Sequence, residues 1–262
     1  MQFNVERPLI IAHRGASALA PENTLAAFQK AILGGAEGIE FDVQMAKDGV
    51  PVVFHDYDLK RTGRREGKVS DFTSKELQNL DVGTWFNLKN PHRANERFSA
   101  ETVPTFSGLL DFLKDYKGLL YVEMKFAGKD VSALVEAVCK IIRESRFLPQ
   151  VKLKSFNLEA IKQAKKLFPE IRTVALFEPK FRTLLRGKLH LIEKAEAFRA
   201  DELSLHYSLA TQKMIERAKA RNFPVTIWTA DNPAWVKRAI NLGLDAIITN
   251  NPARLLSEKG KR

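Results

Sequence analysis

Between Ile11 and Asp56 the chain sets His13, Arg14, Glu22, Glu40, Asp42 and His55 among short apolar runs. Two imidazoles, several carboxylates and a guanidinium are the inventory that metal-assisted acid–base chemistry on a phosphorylated substrate needs. Glu40 and Asp42 stand two apart in an extended run, so they share one face while Ile39, Phe41 and Val43 take the other. Buried side by side, two carboxylates repel each other and lose hydration. A divalent cation relieves both problems, and an all-oxygen set favours Mg²⁺ or Ca²⁺ over zinc. Lysine and arginine partners would relieve them too, and the pair alone leaves that choice open. In Tyr121-Val122-Glu123-Met124-Lys125, Glu123 and Lys125 share a face and the apolar residues take the other. Glu123 is a candidate third carboxylate ligand, and Lys125 a candidate phosphate contact.

His13 and His55 each follow an extended apolar segment. One imidazole can take a proton from a nucleophile while the other returns one to a leaving alkoxide. Asp56 either orients a ring or caps a turn. Arg14 can hold phosphate with its planar fork. Glu22-Asn23-Thr24 reads as helix-capping chemistry, with Glu22 also in reach of Arg14 or a ligand hydroxyl. Trp228 ends a strand and is a candidate pocket wall. His92 and His190 fall in surface-like contexts, and His206 divides between pocket and core. Cys139, the single cysteine, lies in an apolar helical run and reads as a small core residue.

These side chains need a scaffold. Eight short strand patterns, Leu9–Ala12, Gly38–Val43, Leu119–Met124, Val151–Ser155, Ile171–Leu176, Glu202–Leu205, Val225–Trp228 and Asp245–Ile248, mostly alternate with helical ones. The helical patterns are Thr24–Leu33, Phe106–Lys114, Val131–Ser145, Leu158–Leu167, Phe181–Ala195, Thr211–Arg221, Pro233–Leu242 and Pro252–Ser257. Eight such units predict an α/β fold, a (β/α)₈ TIM barrel over residues 1–262 as one domain. Residues 57–100 break the rhythm with turns, charges and aromatics and one short helical signal, Ser74–Leu80. They predict a small insertion after strand two, over the barrel mouth, packed by Trp85, Phe86 and Phe98.

With 45% hydrophobic and 28% charged residues, the chain has the make-up of a soluble globular protein, with disorder expected only in the tail from Ser257 to Arg262. The net charge of +11 is uneven, −1 over residues 1–140 and +12 over 141–262. The basic half spreads its charge along helical faces such as Lys162, Lys165 and Lys166, and no nucleic-acid motif accompanies it. The stretch Met1-Gln2-Phe3-Asn4 lacks the features of a secretory signal, and no apolar run reaches membrane-spanning length. The expectation is a cytoplasmic protein with no nucleic-acid partner and no stable membrane insertion. P-loop, dinucleotide-binding and Gly-x-Ser-x-Gly signatures are all missing.

The ordered motifs His13-Arg14-Gly15, Pro21-Glu22-Asn23-Thr24, Glu40-Phe41-Asp42-Val43, Asp48 through Asp56, and Arg61-Thr62 resemble those of the glycerophosphodiester phosphodiesterase family. That family belongs to the phosphatidylinositol-phospholipase-C-like phosphodiesterases. Glu123-Met124-Lys125, Ser155-Phe156, Trp228-Thr229 and Gly243 through Thr249 extend the likeness over nearly the whole chain. The resemblance implies a (β/α)₈ barrel with an insertion after strand two and a divalent cation. It also implies hydrolysis of a small glycerophosphodiester to glycerol 3-phosphate and an alcohol. Carried over, Glu40, Asp42 and Glu123 are metal ligands, His13 and His55 the acid–base pair, and Arg14 and Lys125 the phosphate contacts. Ala46 stands where the family often has Thr, and Asn250 where it often has Asp, departures that bear on substrate preference. Two rivals remain. One is a lysophospholipase D-type activity on lipid diesters, its apolar surface supplied by Trp85, Phe86 and Phe98. The other is a non-catalytic phosphate-binding barrel.

Overall fold

A computed structural model describes residues 8–128, 130–179 and 190–261. Eight strands pair in parallel around a closed ring: β1 (Leu9–His13), β2 (Gly38–Met45), β4 (Leu119–Met124), β5 (Val151–Ser155), β6 (Arg172–Phe177), β7 (Glu202–His206), β8 (Val225–Trp228) and β9 (Ala246–Thr249). The ring closes because β1 pairs with both β2 and β9. A ninth strand, β3 (Pro51–Val53), runs antiparallel to the end of β2 and is not part of the ring. This is the expected (β/α)₈ barrel, with strand limits within two residues of those read from sequence. The surrounding helices include Leu25–Leu33, Ser132–Glu144, Leu158–Leu167, Gln212–Ala220 and Ala234–Leu242. The expected helix Phe181–Ala195 lies outside the described residues up to 189, and a helix is present over His190–Ala197. The Met1–Asn4 reading also falls outside them.

Period-two alternation divides every strand. Ile39, Phe41 and Val43 of β2 and Val122 of β4 pack outward with Phe28, Phe106 and Val138 in the main core, which also takes Cys139. A smaller apolar cluster of Ile11, Val174, Ala246 and Ile248 fills the barrel interior, with Tyr121 among them. Tyr121 therefore shares the inward face with Glu123. In the same interior Lys152 pairs with Glu202 and donates to the Tyr121 hydroxyl at 2.9 Å, and Glu202 also accepts from Thr226 Oγ1 at 2.5 Å. The expected loose tail is instead helical over Pro252–Lys259. Lys259 binds Glu37 at 2.9 Å, and Glu37 caps the Ile10 amide at 2.8 Å.

Residues 57–100 hold more structure than their single helical signal predicts. The segment holds three short α-helices (Lys60–Gly63, Ser74–Leu77, Thr84–Lys89) and three 3₁₀ turns. The sequence signal is weak because each is about one turn long, too short to show a 3.6-residue period. Phe86 and Phe98 pack edge to face, 5.6 Å between centroids, against Ala20 and Ala27 of the barrel rim. A Cβ on Gly83 would sit 1.6 Å from the Phe98 carbonyl oxygen, so only glycine allows that approach.

Glu202 is the sole carboxylate bonded to Lys152 in this interior network, so Glu202→Ala should leave a buried ammonium unpaired. The expected loss is about 3–5 kcal/mol in urea unfolding. The double change Lys152→Met with Glu202→Leu should recover most of it. Equal losses in both proteins would show that packing, not charge, sets the cost.

Candidate active site

The site grows from the C-terminal ends of β1, β2, β4 and β5. Register places His13 beside Glu40, Asp42 beside Glu123, and Glu123 beside Lys154. Glu40, Asp42 and Glu123 are all buried, and one oxygen from each lies within 4.8 Å of the others. Their surroundings are cationic. Lys154 Nζ donates to Glu40 Oε1 at 2.7 Å and lies 3.4 Å from Glu123 Oε2. Lys125 Nζ stands 2.5 Å from Glu123 Oε1 and 3.3 Å from Asp42 Oδ1. Arg14 Nε is 3.2 Å from Asp42 Oδ2, which also accepts from Asn23 Nδ2 at 2.9 Å. The salt-bridged alternative left open by the carboxylate pair is thus present.

Burial works against ionising Asp42, but Lys125, Arg14, His55 and the Asn23 amide outweigh it and hold the carboxyl far below its usual range. Glu40 is likewise lowered against burial, chiefly by Lys154. The Lys125 and Lys154 ammoniums are raised, their carboxylate partners overcoming desolvation. The donor set also fits a hard cation. Asp42 Oδ1 and Glu123 Oε1 are buried, and both touch the Lys125 ammonium. With one oxygen each from Glu40, Asp42 and Glu123 within 4.8 Å of the others, the set suits an oxygen-ligated divalent ion.

The histidines flank this trio. His13 Nδ1 lies 2.7 Å from Asn250 Oδ1. The Asn250 amide donates its Nδ2 to Asp231 Oδ2 at 2.7 Å, so its oxygen faces the ring and His13 Nδ1 carries the proton. His13 Nε2 then faces Glu40 Oε2 at 3.9 Å. His55 Nδ1 is 2.6 Å from Asp56 Oδ1, so Asp56 orients the ring. Asp56 Oδ2 accepts from Arg61 Nε at 2.5 Å, and Arg61 also grips Glu22, which binds Arg14 at 2.8 Å. Arg14 has a left-handed backbone, φ 55°, and its amide donates to Glu40 Oε2 at 3.1 Å. The next residue, Gly15 at φ 78°, abuts Ala27, where a Cβ would fall 2.6 Å from the backbone.

A cavity of about 250 Å³ opens onto these groups, with Phe156, Glu178 and Trp228 on its other side. A larger hollow of about 440 Å³ lies by Lys219, Phe223 and Asp245, at the strands' N-terminal ends. Nothing catalytic converges there, and barrel chemistry belongs to the opposite end.

All nine residues singled out from sequence as site candidates lie around this one mouth. Asn23 needs correction. It is no cap: its Nδ2 donates to Asp42 Oδ2, while Thr24 Oγ1 caps the helix at the Ala27 amide. Lys154 and Gln44 were missed. Lys154 is signalled by the alternation Val-Lys-Leu-Lys-Ser, whose lysines must face inward in a barrel. Gln44 continues the Glu40–Asp42 phase, and its Nε2 donates to the carbonyls of Phe54 and Asp56, at 2.9 and 2.7 Å, fastening the His55 loop to β2.

A barrel that gathers an acid trio, anchored imidazoles and paired cations at its mouth is suited to phosphoester cleavage. The model of the Glycerophosphoryl diester phosphodiesterase family matches residues 13–254, and the chain belongs to that family. A glycerophosphodiester phosphodiesterase of Caldanaerobacter subterraneus subsp. tengcongensis is 34% identical, over 96% of this chain and 97% of that one. One from Bacillus subtilis is 29% identical, over 94% and 85%. The structure of an Oleispira antarctica phosphodiesterase in complex with the product sn-glycerol-3-phosphate superposes with a TM-score of 0.84 at 29% identity, covering 97% of each chain.

Burial dominates at His13 and lowers its pKa below the ordinary 6.5, aided by Arg14 and opposed by Glu40, Asn250 and Asp42. The folded chain then binds fewer protons than the unfolded one between the two values. The stability held by the neutral ring is complete above about pH 6.5 and is lost as pH falls through the folded value. In an NMR titration the His13 ring should have its midpoint below 6.5. Asn250→Asp, which puts a carboxylate against Nδ1, should raise it. A wild-type midpoint above 6.5 would contradict the assignment.

Proposed function

We propose that this chain hydrolyses small glycerophosphodiesters to glycerol 3-phosphate and an alcohol with a divalent cation, Mg²⁺ or Ca²⁺, held by Glu40, Asp42 and Glu123. The observation that carries this reading is the clustering of that trio against a cavity lined by Glu123, His13, His55, Arg14 and Lys125. The sn-glycerol-3-phosphate in the Oleispira antarctica structure supports the product. The cation, when bound, supplies positive charge to the phosphoryl oxygens and favours ionisation of the attacking hydroxyl. Arg14 and Lys125 bind the remaining phosphoryl oxygens and stabilise the charge gained in the transition state. One histidine accepts the proton of the attacking oxygen, that of water or of the substrate's own glycerol hydroxyl, and the other donates to the departing alkoxide; in the second case water then opens the cyclic phosphate to glycerol 3-phosphate. Glu22, fixed by Arg14 and Arg61, faces the substrate's glycerol side, and Trp228 faces the alcohol.

Residues 57–100 act within the single domain 1–262 as a rim piece over the glycerol side. The lipid-directed rival needed Trp85, Phe86 and Phe98 to offer an apolar surface, but Phe86 and Phe98 are buried. No helix among the described residues is long and apolar enough to cross a membrane. The setting we infer is cytoplasmic turnover of lipid-derived diesters, with which the free, buried Cys139 thiol is compatible.

Turnover of glycerophosphocholine should stop with EDTA and return with Mg²⁺ or Ca²⁺; full activity in EDTA would refute the metal assignment. Asp42→Ala should abolish cation binding in calorimetry. His55→Ala should leave that binding intact yet lower kcat by roughly 10²–10⁴. Replacing residues 57–100 with a short Gly/Ser linker should raise KM for glycerophosphocholine and leave cation affinity unchanged. Wild-type kinetics in that protein would remove the segment from substrate selection.

A further inference from the structure

The barrel mouth has two unlike walls. The wall formed by β1, β2 and β4 is charged and hydrogen-bonded throughout. The wall beyond β5 to β8 is aromatic. Phe156 continues the inward phase of Lys152 and Lys154, and Trp228 that of Thr226. Their rings meet edge to face, 5.5 Å between centroids at 80°, which makes a corner of two ring faces. Trp228 is fixed from behind, since its Nε1 donates to the Ser204 carbonyl at 3.3 Å and the His206 ring packs on it at 5.5 Å. Glu178, in the inward phase of β6, lines the same side of the cavity. The Phe156 ring already faces positive charge, with Lys125 Nζ 5.9 Å from its centroid.

We propose that Phe156, Trp228 and Glu178 form a head-group subsite for a leaving alcohol that bears a quaternary ammonium. The inference rests on the proposed function and names the substrate class of that site. Once Arg14 and Lys125 hold the phosphate, the two ester arms diverge from the tetrahedral phosphorus toward different parts of the cavity. The Glu22–Arg61 side offers hydrogen-bonding groups suited to a glycerol. Among the described residues, the other side offers ring faces and one carboxylate, fewer polar partners than a second polyol would use. A quaternary ammonium needs no hydrogen bonds, loses little on leaving water, and is attracted by ring faces and by a carboxylate. A polyol head group placed there would lose its water without replacement.

The test compares kcat/KM for glycerophosphocholine and glycerophosphoglycerol in the Mg²⁺-loaded protein, in wild type, Phe156→Leu and Trp228→Leu, with tetramethylammonium as a competing probe. The wild type should favour the choline diester by about tenfold or more, and tetramethylammonium should inhibit competitively. Either substitution should remove most of that preference. Phe156 is 37% exposed, so its variant should fold even if the Trp228 one does not. Equal wild-type kcat/KM for the two diesters, or an unchanged ratio in Phe156→Leu, would overturn the subsite and leave the proposed function standing. Cleavage of neither diester would overturn the proposed function itself, and the subsite with it.

Discussion

Three carboxylates confined to the inner wall of the barrel are the constraint on which the rest of this site depends. Glu40, Asp42 and Glu123 come from two adjacent strands, and register leaves them no room to separate. A triple negative charge with so little water is untenable alone. The chain answers with Arg14, Lys125 and Lys154, each from a different strand end and each touching at least one of the three. The carboxylates stay ionised because these cations are fixed nearby. Charges are therefore balanced before any ligand arrives. The ligand oxygens are held in place at a cost in desolvation that the barrel's packing must offset.

Holding those cations fixed in turn shapes the loops. Arg14 reaches Asp42 from a left-handed backbone, and Asn23, at φ 58°, does the same from the far end of that turn. Non-glycine residues in this region cost on the order of 1 kcal/mol or more and persist only where the surroundings enforce them. Here the enforcement is visible. The Asn23 amide donates to the Arg14 carbonyl at 3.0 Å, Glu40 caps the Arg14 amide, and Gly15 lets the turn press onto the helix Leu25–Leu33. Outward from Arg14, Glu22 passes the restraint to Arg61 and so to Asp56 and His55. One connected ion network thus ties the first strand's loop to the start of the segment after β3.

How much of this was legible in the sequence follows from the range of each signal. The barrel was, because period-two and period-3.6 patterns repeat eight times and errors in one unit do not spoil the count. The inward phase of Glu40, Asp42 and Glu123 was, because alternation alone decides it. Lys154 was not read, although the same alternation places it, since its partner Glu40 lies 114 residues away on β2, a strand that β5 meets only across the barrel interior. Asn23 was mistaken for a cap because capping is a local rule, and the competing attraction of Asp42 is a tertiary one. The short helices of residues 60–89 left almost no period to detect. The helical end at Lys259 depends on Glu37, again a partner visible only after folding.

The two histidines show how the same side chain is prepared differently by its backing group. His13 is half-buried and backed by an amide oxygen, and the amide is itself oriented by Asp231 and Ser17. An amide partner fixes the tautomer without adding charge, so burial prevails and the ring stays neutral, its Nε2 lone pair facing the acid trio. His55 is backed by Asp56, an anion that Arg61 and the ring hold well ionised despite partial burial. A carboxylate on Nδ1 stabilises the imidazolium as it forms. The two rings therefore face the cavity with unlike backing groups, one neutral and one anionic. By presenting a neutral oxygen to Nδ1 rather than a carboxylate, Asn250 sets the electrostatics of one histidine, His13.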